Sequence, residues 1–298
     1  MRLATIRVEG TTRAVLAQGS ALIDLRARDL GEFLANADWR ERAAAAATAA
    51  AATANTANTA NTANPGAASH PLTGADFAPL IPHPSKVVCV GLNYRNHILE
   101  MGRDLPEYPT LFAKFADTLI GANDDLAKPP ETDRWDWEAE LAIVIGQPVR
   151  RAKGQDAKDA IAGFTVLNDV TARDWQFRTR EWLQGKIWDA STPVGPFLVT
   201  PDELPGATSP ELAITLTVDG VTMQQDTTAD LLFAPVQLVE YISAITRLNP
   251  GDVIATGTPG GVGQARKPPR FLVGGETVTA AIEGIGQTVN RVVKEIAP

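Results

Sequence analysis

The sequence predicts a mainly β protein of the α+β class. A strand-rich catalytic domain with peripheral helices follows a small β-rich N-terminal domain. Two observations carry this. Short strand-like apolar runs recur along the chain, separated by Gly-Asp, Asp-Gly and Pro-Gly turn pairs. Few helical segments alternate with them, which argues against a doubly wound parallel sheet. The 298 residues suffice for one large or two modest domains.

Segments 3–10, 12–19 and 21–25 alternate and turn at Gly10 and Gly19, as a small β unit would. Residues 27–52 have helical composition. "TANTANTANTANPG" then repeats Thr-Ala-Asn with a period that fits neither helix nor strand, and reads as a low-complexity linker. A ligand-binding repeat would need longer units with apolar layers. The domain reading is therefore 1–53 as an N-terminal domain, 54–75 as linker and 76–298 as catalytic domain. In the last, strands are predicted at 86–91, 140–146, 162–170, 211–220, 252–257 and 276–286. Helices are predicted at 172–183 and 234–248.

Lys plus Arg number 27 and Asp plus Glu 35, a formal charge of −8. An acidic chain without a basic run is a poor partner for nucleic acid or an anionic membrane surface. The single cysteine, Cys89, excludes an internal disulfide and reads as a small buried hydrophobe. The opening "MRLATIRVEG" lacks signal-peptide character and no apolar run suits a membrane helix, so a soluble cytoplasmic protein is expected.

The stretch "RWDWEAELAIVIG" holds Glu138 and Glu140 two residues apart on a strand, hence on one face and roughly 7 Å apart. Either that face is wet or a cation sits between them, because burying both unpartnered is costly. Asp169 ends another predicted strand and supplies a third carboxylate. Three carboxylates without nearby Cys or His form a hard-oxygen set that favours Mg²⁺, Mn²⁺ or Ca²⁺ over Zn²⁺. His70 and His83 read as exposed loop residues. His97 and Glu100 are three apart and share a face if helical, as an oriented general base or as a plain surface pair. Lys186 lies amid Gly, Pro and aromatic residues. Thr258 lies in "ATGTPGGVG", a Gly-rich loop without the lysine of a P-loop or the spacing of a Rossmann fingerprint.

Together, "VVCVGLNYRNHILEMG", "TLFAKFADTLIGANDDL", "DWEAELAIVIG", "FTVLNDVTARDWQ", "GKIWDASTPVGP", "IATGTPGGVG" and "IEGIGQTVNRV" resemble the fumarylacetoacetate hydrolase family, from about Lys86 to the C-terminus. The resemblance implies a mixed β-roll catalytic domain and a homodimer. It implies that Glu138, Glu140 and Asp169 bind Mg²⁺ or Mn²⁺, and that His97 and Glu100 form a water-activating dyad on a mobile lid. It places Lys186 beside a developing enolate, and Arg173, Gln176 and Thr258 near the substrate's carboxylate or oxo ends. The segment "AKFADT" departs from relatives that have proline after the lysine.

The implied substrate is a small 2-oxo acid. The expected reaction is C–C hydrolysis of an acylpyruvate. Isomerisation of a hydroxymuconate-type diene, or decarboxylation of an oxaloacetate-type acid, is the alternative on the same site. A catalytically silent binding relative would lack the triad or the lysine, and both are present.

Overall fold

The computed structural model describes residues 1–56, 68–100 and 102–295, with backbone alone at 53–56 and 100. Strands predominate. Among the described residues the larger sheet has 11 strands; its path runs Ser69–Pro71, Ala21–Asp24, Thr11–Gln18, Arg2–Val8, Thr192–Val199, Ile161–Asn168, Ala139–Ile145, Val253–Ala255, Val87–Gly91, Thr110–Lys114, with Leu119–Ile120 pairing Thr192–Val199 off that path. A five-stranded sheet packs against it, built from Val221–Thr227, Ala213–Val218, Thr277–Ile282, Gly286–Lys294 and Leu126–Lys128.

The strand Ala139–Ile145 sits near the middle and is buried along its whole length. It pairs antiparallel with Ile161–Asn168 (Ala139 opposite Asn168) and with Val253–Ala255 (Ala142 opposite Ala255). Its two faces enter different cores. Leu141, Ile143 and Ile145 join Ile214, Leu216 and Val278 of the smaller sheet. Ala142 and Val144 join Leu3, Phe33 and Trp39 of the N-terminal segment. The sequence left the glutamates' face either wet or cation-bound; the structure buries both faces of the strand. A central strand between two layers is apolar on both sides, so its pattern is continuous rather than alternating.

The N-terminal strands appear where expected. The first of them does not stop at its own hairpin: Arg2–Val8 pairs with Thr192–Val199, Arg2 opposite Val199. Residues 1–24 and the catalytic strands thus share one sheet. The predicted helix over 27–52 is two helices, Leu30–Leu34 and Trp39–Thr56. Asp29 caps the first by accepting from the Glu32 N–H at 2.9 Å. The Trp39 indole anchors the second by donating to the Gly146 carbonyl at 3.1 Å. Ser69–Pro71, inside the segment read as linker, pairs with Ala21–Asp24. His70 is therefore half-buried in a strand rather than in an exposed loop, whereas His83 is exposed in a bend. Residues 57–67 of that segment lie outside the described residues.

The helix expected over 172–183 is broken into Arg173–Gln176 and Leu183–Lys186. The two short pieces turn Arg173 and Lys186 inward, and of the intervening residues 177–181 are exposed and Trp182 is half-buried. Tertiary demand overrides helix propensity there. The helix Pro235–Ile245 forms as expected.

Because Leu3 is fully buried among catalytic-strand residues, Leu3→Ala should cost about 2–5 kcal/mol. Thermal unfolding should remain one transition at a lower Tm. An early separate transition of the N-terminal segment would contradict the shared sheet.

Candidate active site

Glu138 immediately precedes the central strand, Glu140 lies in its first turn of pleat, and Asp169 follows the neighbouring strand. The register brings them together: Ala139 faces Asn168, the Glu138 N–H donates to Asn168 Oδ1 at 2.9 Å, and the Asp169 N–H donates to the Glu138 carbonyl at 2.8 Å. One carboxylate oxygen from each of the three lies within 4.8 Å of the others. All three are buried, Glu138 at 7%, Glu140 at 1% and Asp169 at 0% exposure, so a wet face is excluded. Two unit charges at 4.8 Å repel by about 3.5 kcal/mol at an effective dielectric constant of about 20.

Cations offset part of this. Lys186 Nζ lies 2.7 Å from Glu138 Oε2 and 2.6 Å from Asp169 Oδ2. Lys114 Nζ donates to Asp169 Oδ1 at 2.8 Å and to the Val170 carbonyl at 3.3 Å. Arg173 reaches Glu138 Oε1 at 2.6 Å and Asp136 Oδ2 at 2.8 Å. Asp136 is itself held by the N–H groups of Gly263 and Gln264 at 2.7 and 2.9 Å. Burial alone would raise the Asp169 carboxyl, but Lys114 and Lys186 outweigh it and hold its pKa at about 2. Burial likewise disfavours the Lys186 ammonium, yet Asp169 and Glu138 outweigh it and push its pKa up, so Lys186 is charged.

Four carboxylates therefore face three cations. The surplus rests on Glu140, which makes no ion pair among the described residues. Burial, then the charges of Asp169 and Glu138, push its pKa well above the usual carboxylate range. Its Oε2 accepts from the Gly257 N–H at 2.7 Å. Gly257 has φ +100, and a Cβ there would lie 2.9 Å from the Val90 carbonyl oxygen, so glycine alone fits. A hard, all-oxygen, over-negative cluster fits a divalent cation such as Mg²⁺ or Mn²⁺. With that cation the site would carry one net positive charge, which suits an anionic substrate.

The three carboxylates' floor opens into a cavity of about 160 Å³ whose lining includes Glu138, Glu140, Arg173, Gln176, Lys186 and Thr258. His97 reaches the same cavity from the helix Arg95–Glu100. Of the expected dyad, His97 is half-buried there, while the Glu100 side chain lies outside the described residues. The helix is tied to the cluster: Asn93 Nδ2 donates to the carbonyls of Thr256 at 2.7 Å and Phe233 at 3.1 Å. Gln176 Oε1 accepts from Arg173 Nη1 at 3.0 Å. The Thr258 hydroxyl donates to the Ala139 carbonyl at 2.9 Å and accepts from Gln224 Nε2 at 2.8 Å. Arg173 and Thr258 thus brace the glutamate strand besides lining the cavity.

Sequence reasoning missed Lys114, Asp136 and Gln224. Lys114 offered a signal, a lone lysine ending the apolar run "TLFAK". Cys89 is buried as expected, and burial pushes its thiol up, so it is no nucleophile.

Residues 86–293 match the fumarylacetoacetate (FAA) hydrolase C-terminal family. The mitochondrial oxaloacetate tautomerase FAHD2A of Bos taurus is 43% identical over 225 residues, 75% of this chain and 71% of that protein. Among solved structures, 5-carboxymethyl-2-hydroxymuconate delta-isomerase from Mycobacterium smegmatis is 30% identical with a TM-score of 0.75. The fumarylacetoacetate hydrolase of Exiguobacterium antarcticum is 28% identical with a TM-score of 0.81. Both superpositions cover 99% of this chain and 100% of the other. No helix of the described residues is long and apolar enough to cross a membrane. The mitochondrial relative lends no support to the cytoplasmic location expected from the sequence.

Glu140→Gln removes the surplus charge while its amide oxygen can still accept from Gly257. In metal-free protein the Tm should hold or rise. Mn²⁺ affinity by calorimetry should fall at least about tenfold, since second-shell losses alone reach that size. Unchanged Mn²⁺ affinity would contradict the assignment of the surplus.

Proposed function

The chain belongs to the fumarylacetoacetate hydrolase family, and we propose that it is a divalent-cation-dependent isomerase of small 2-oxo acids of the oxaloacetate type, interconverting their enol and keto forms. The observation that carries the enolate chemistry is Lys186, a charged ammonium buried at the cavity floor between Glu138 and Asp169. Negative charge on the 2-oxygen of a bound acid would develop beside it, where a preorganised cation lowers the barrier by several kcal/mol. Glu138, Glu140 and Asp169 would hold the cation. When bound, it would supply Lewis-acid polarisation of the 1-carboxylate and 2-oxo oxygens.

In the enol-to-keto direction the enol hydroxyl loses its proton, the electron pair reforms the carbonyl, and C3 gains a proton. His97, which lines the same cavity, is the group assigned to carry that proton between oxygen and C3. Gln176 and Arg173 would face the carboxylate end, and Thr258 would position the strand that presents both glutamates. The partly apolar walls, Phe112 and Trp182 among them, would keep water from the reacting atoms.

C–C hydrolysis, ranked first on the sequence, moves to second place. The relative at 43% identity is a tautomerase, and a solved neighbour at 30% is an isomerase. His97 beside the cavity favours hydrolysis as the second reading, because the same imidazole could deprotonate water. Decarboxylation uses the same enolate.

With Mg²⁺ or Mn²⁺, the protein should speed the loss of enol absorbance of oxaloacetate, and EDTA should abolish the effect reversibly. His97→Ala should lower kcat by about 10²-fold or more with Mn²⁺ binding kept. Enol–keto exchange at its uncatalysed rate, alongside cleavage of an acylpyruvate into two acids, would reverse the ranking.

A further inference from the structure

Three Lys or Arg side chains line the cavity: Arg103, Arg173 and Lys186. Arg173 and Lys186 are each held by two carboxylates. Arg103 makes no ion pair among the described residues, and it is exposed while lining the cavity. Apolar side chains, including Leu92, Phe177 and Val262, line the same cavity.

The backbone of Arg103 is nonetheless fixed. Gly102, at φ +66, ends the His97 helix in a left-handed turn. The Gly102 N–H donates to the Leu99 carbonyl at 2.9 Å and the Arg103 N–H to the Ile98 carbonyl at 3.2 Å. This is the Schellman pairing, so Arg103 is locked to the helix that carries His97. That helix is anchored in turn, since Ile98 is fully buried and the Asn96 N–H donates to Asp230 Oδ2 at 2.9 Å.

Charge counting then separates two ends of the cavity. The inner end, once a divalent cation is bound, carries one net positive charge and is satisfied by a single carboxylate. A second carboxylate on the substrate would lie against apolar walls unless another cation met it. We infer that Arg103 is the specificity residue that receives the distal carboxylate, so that the preferred substrates are 2-oxo dicarboxylic acids. The inference rests on the reading of the inner cluster as the site for a 2-oxo acid. Guanidinium pairs with carboxylate through two parallel N–H donors, which also fixes the distal end in direction.

Two measurements test it on Arg103→Gln, an exposed change that should fold. The first compares KM for oxaloacetate with KM for its 4-methyl ester, which keeps the reacting atoms and loses the distal charge. Wild type should favour the diacid about tenfold, as expected of a charge-assisted hydrogen bond, and the variant should lose most of that ratio. Arg103→Lys should restore part of it. The second uses inert ligands: calorimetric binding of L-malate against L-lactate to the Mg²⁺-loaded protein. Wild type should bind malate about tenfold tighter, and Arg103→Gln should erase the difference. A variant that keeps the wild-type preference, or a wild type without one, would overturn the role of Arg103. Absence of any turnover of oxaloacetate would instead sink the isomerase reading, and the malate–lactate comparison would still decide Arg103.

Discussion

The constraint on which the site depends is an imbalance of buried charge. Asp136, Glu138, Glu140 and Asp169 are buried with only Lys114, Arg173 and Lys186 to meet them. Burying an ion costs several kcal/mol even after relaxation. A cluster balanced charge for charge would be a structural salt-bridge network and nothing more. Here one carboxylate is left over, and it is presented by a central strand that is buried along its whole length. The surplus would give a divalent cation its place and would then leave one positive charge for a substrate anion.

Rigidity follows from the same strand. Ala139–Ile145 is bonded on both edges and packed on both faces, so its glutamates cannot retreat from each other. Short links carry that order outward. Gly257 holds Glu140, the adjoining Thr256 carbonyl holds Asn93, and Asn93 precedes the helix bearing His97. The His97 helix and the carboxylate cluster are therefore tied to the same backbone segment, Thr256 and Gly257, which limits the drift of one against the other.

Much of the inner site was legible in the chain. The period of two placed Glu138 and Glu140 on one side, and Asp169 showed itself as an acid at a strand end. These are local patterns. Lys114, Asp136 and Gln224 were not legible, because their partners lie 55, 37 and 85 residues away and nothing local says which way they point. The break in the helix expected at 172–183 has the same origin: inward pull on Arg173 and Lys186 outweighs helical composition. The joining of Arg2–Val8 to Thr192–Val199 is also a pairing across nearly two hundred positions, invisible to any window of the sequence. The reaction type depended on comparison, since one enolate site serves isomerisation, hydrolysis and decarboxylation.

The most direct test of the surplus-charge account is a crystal structure of the protein equilibrated with Mn²⁺ and measured at the manganese absorption edge. The account predicts one anomalous peak in contact with Glu138, Glu140 and Asp169, lost in Glu140→Gln. An active protein whose crystals show no peak there, or show manganese only elsewhere, would contradict it.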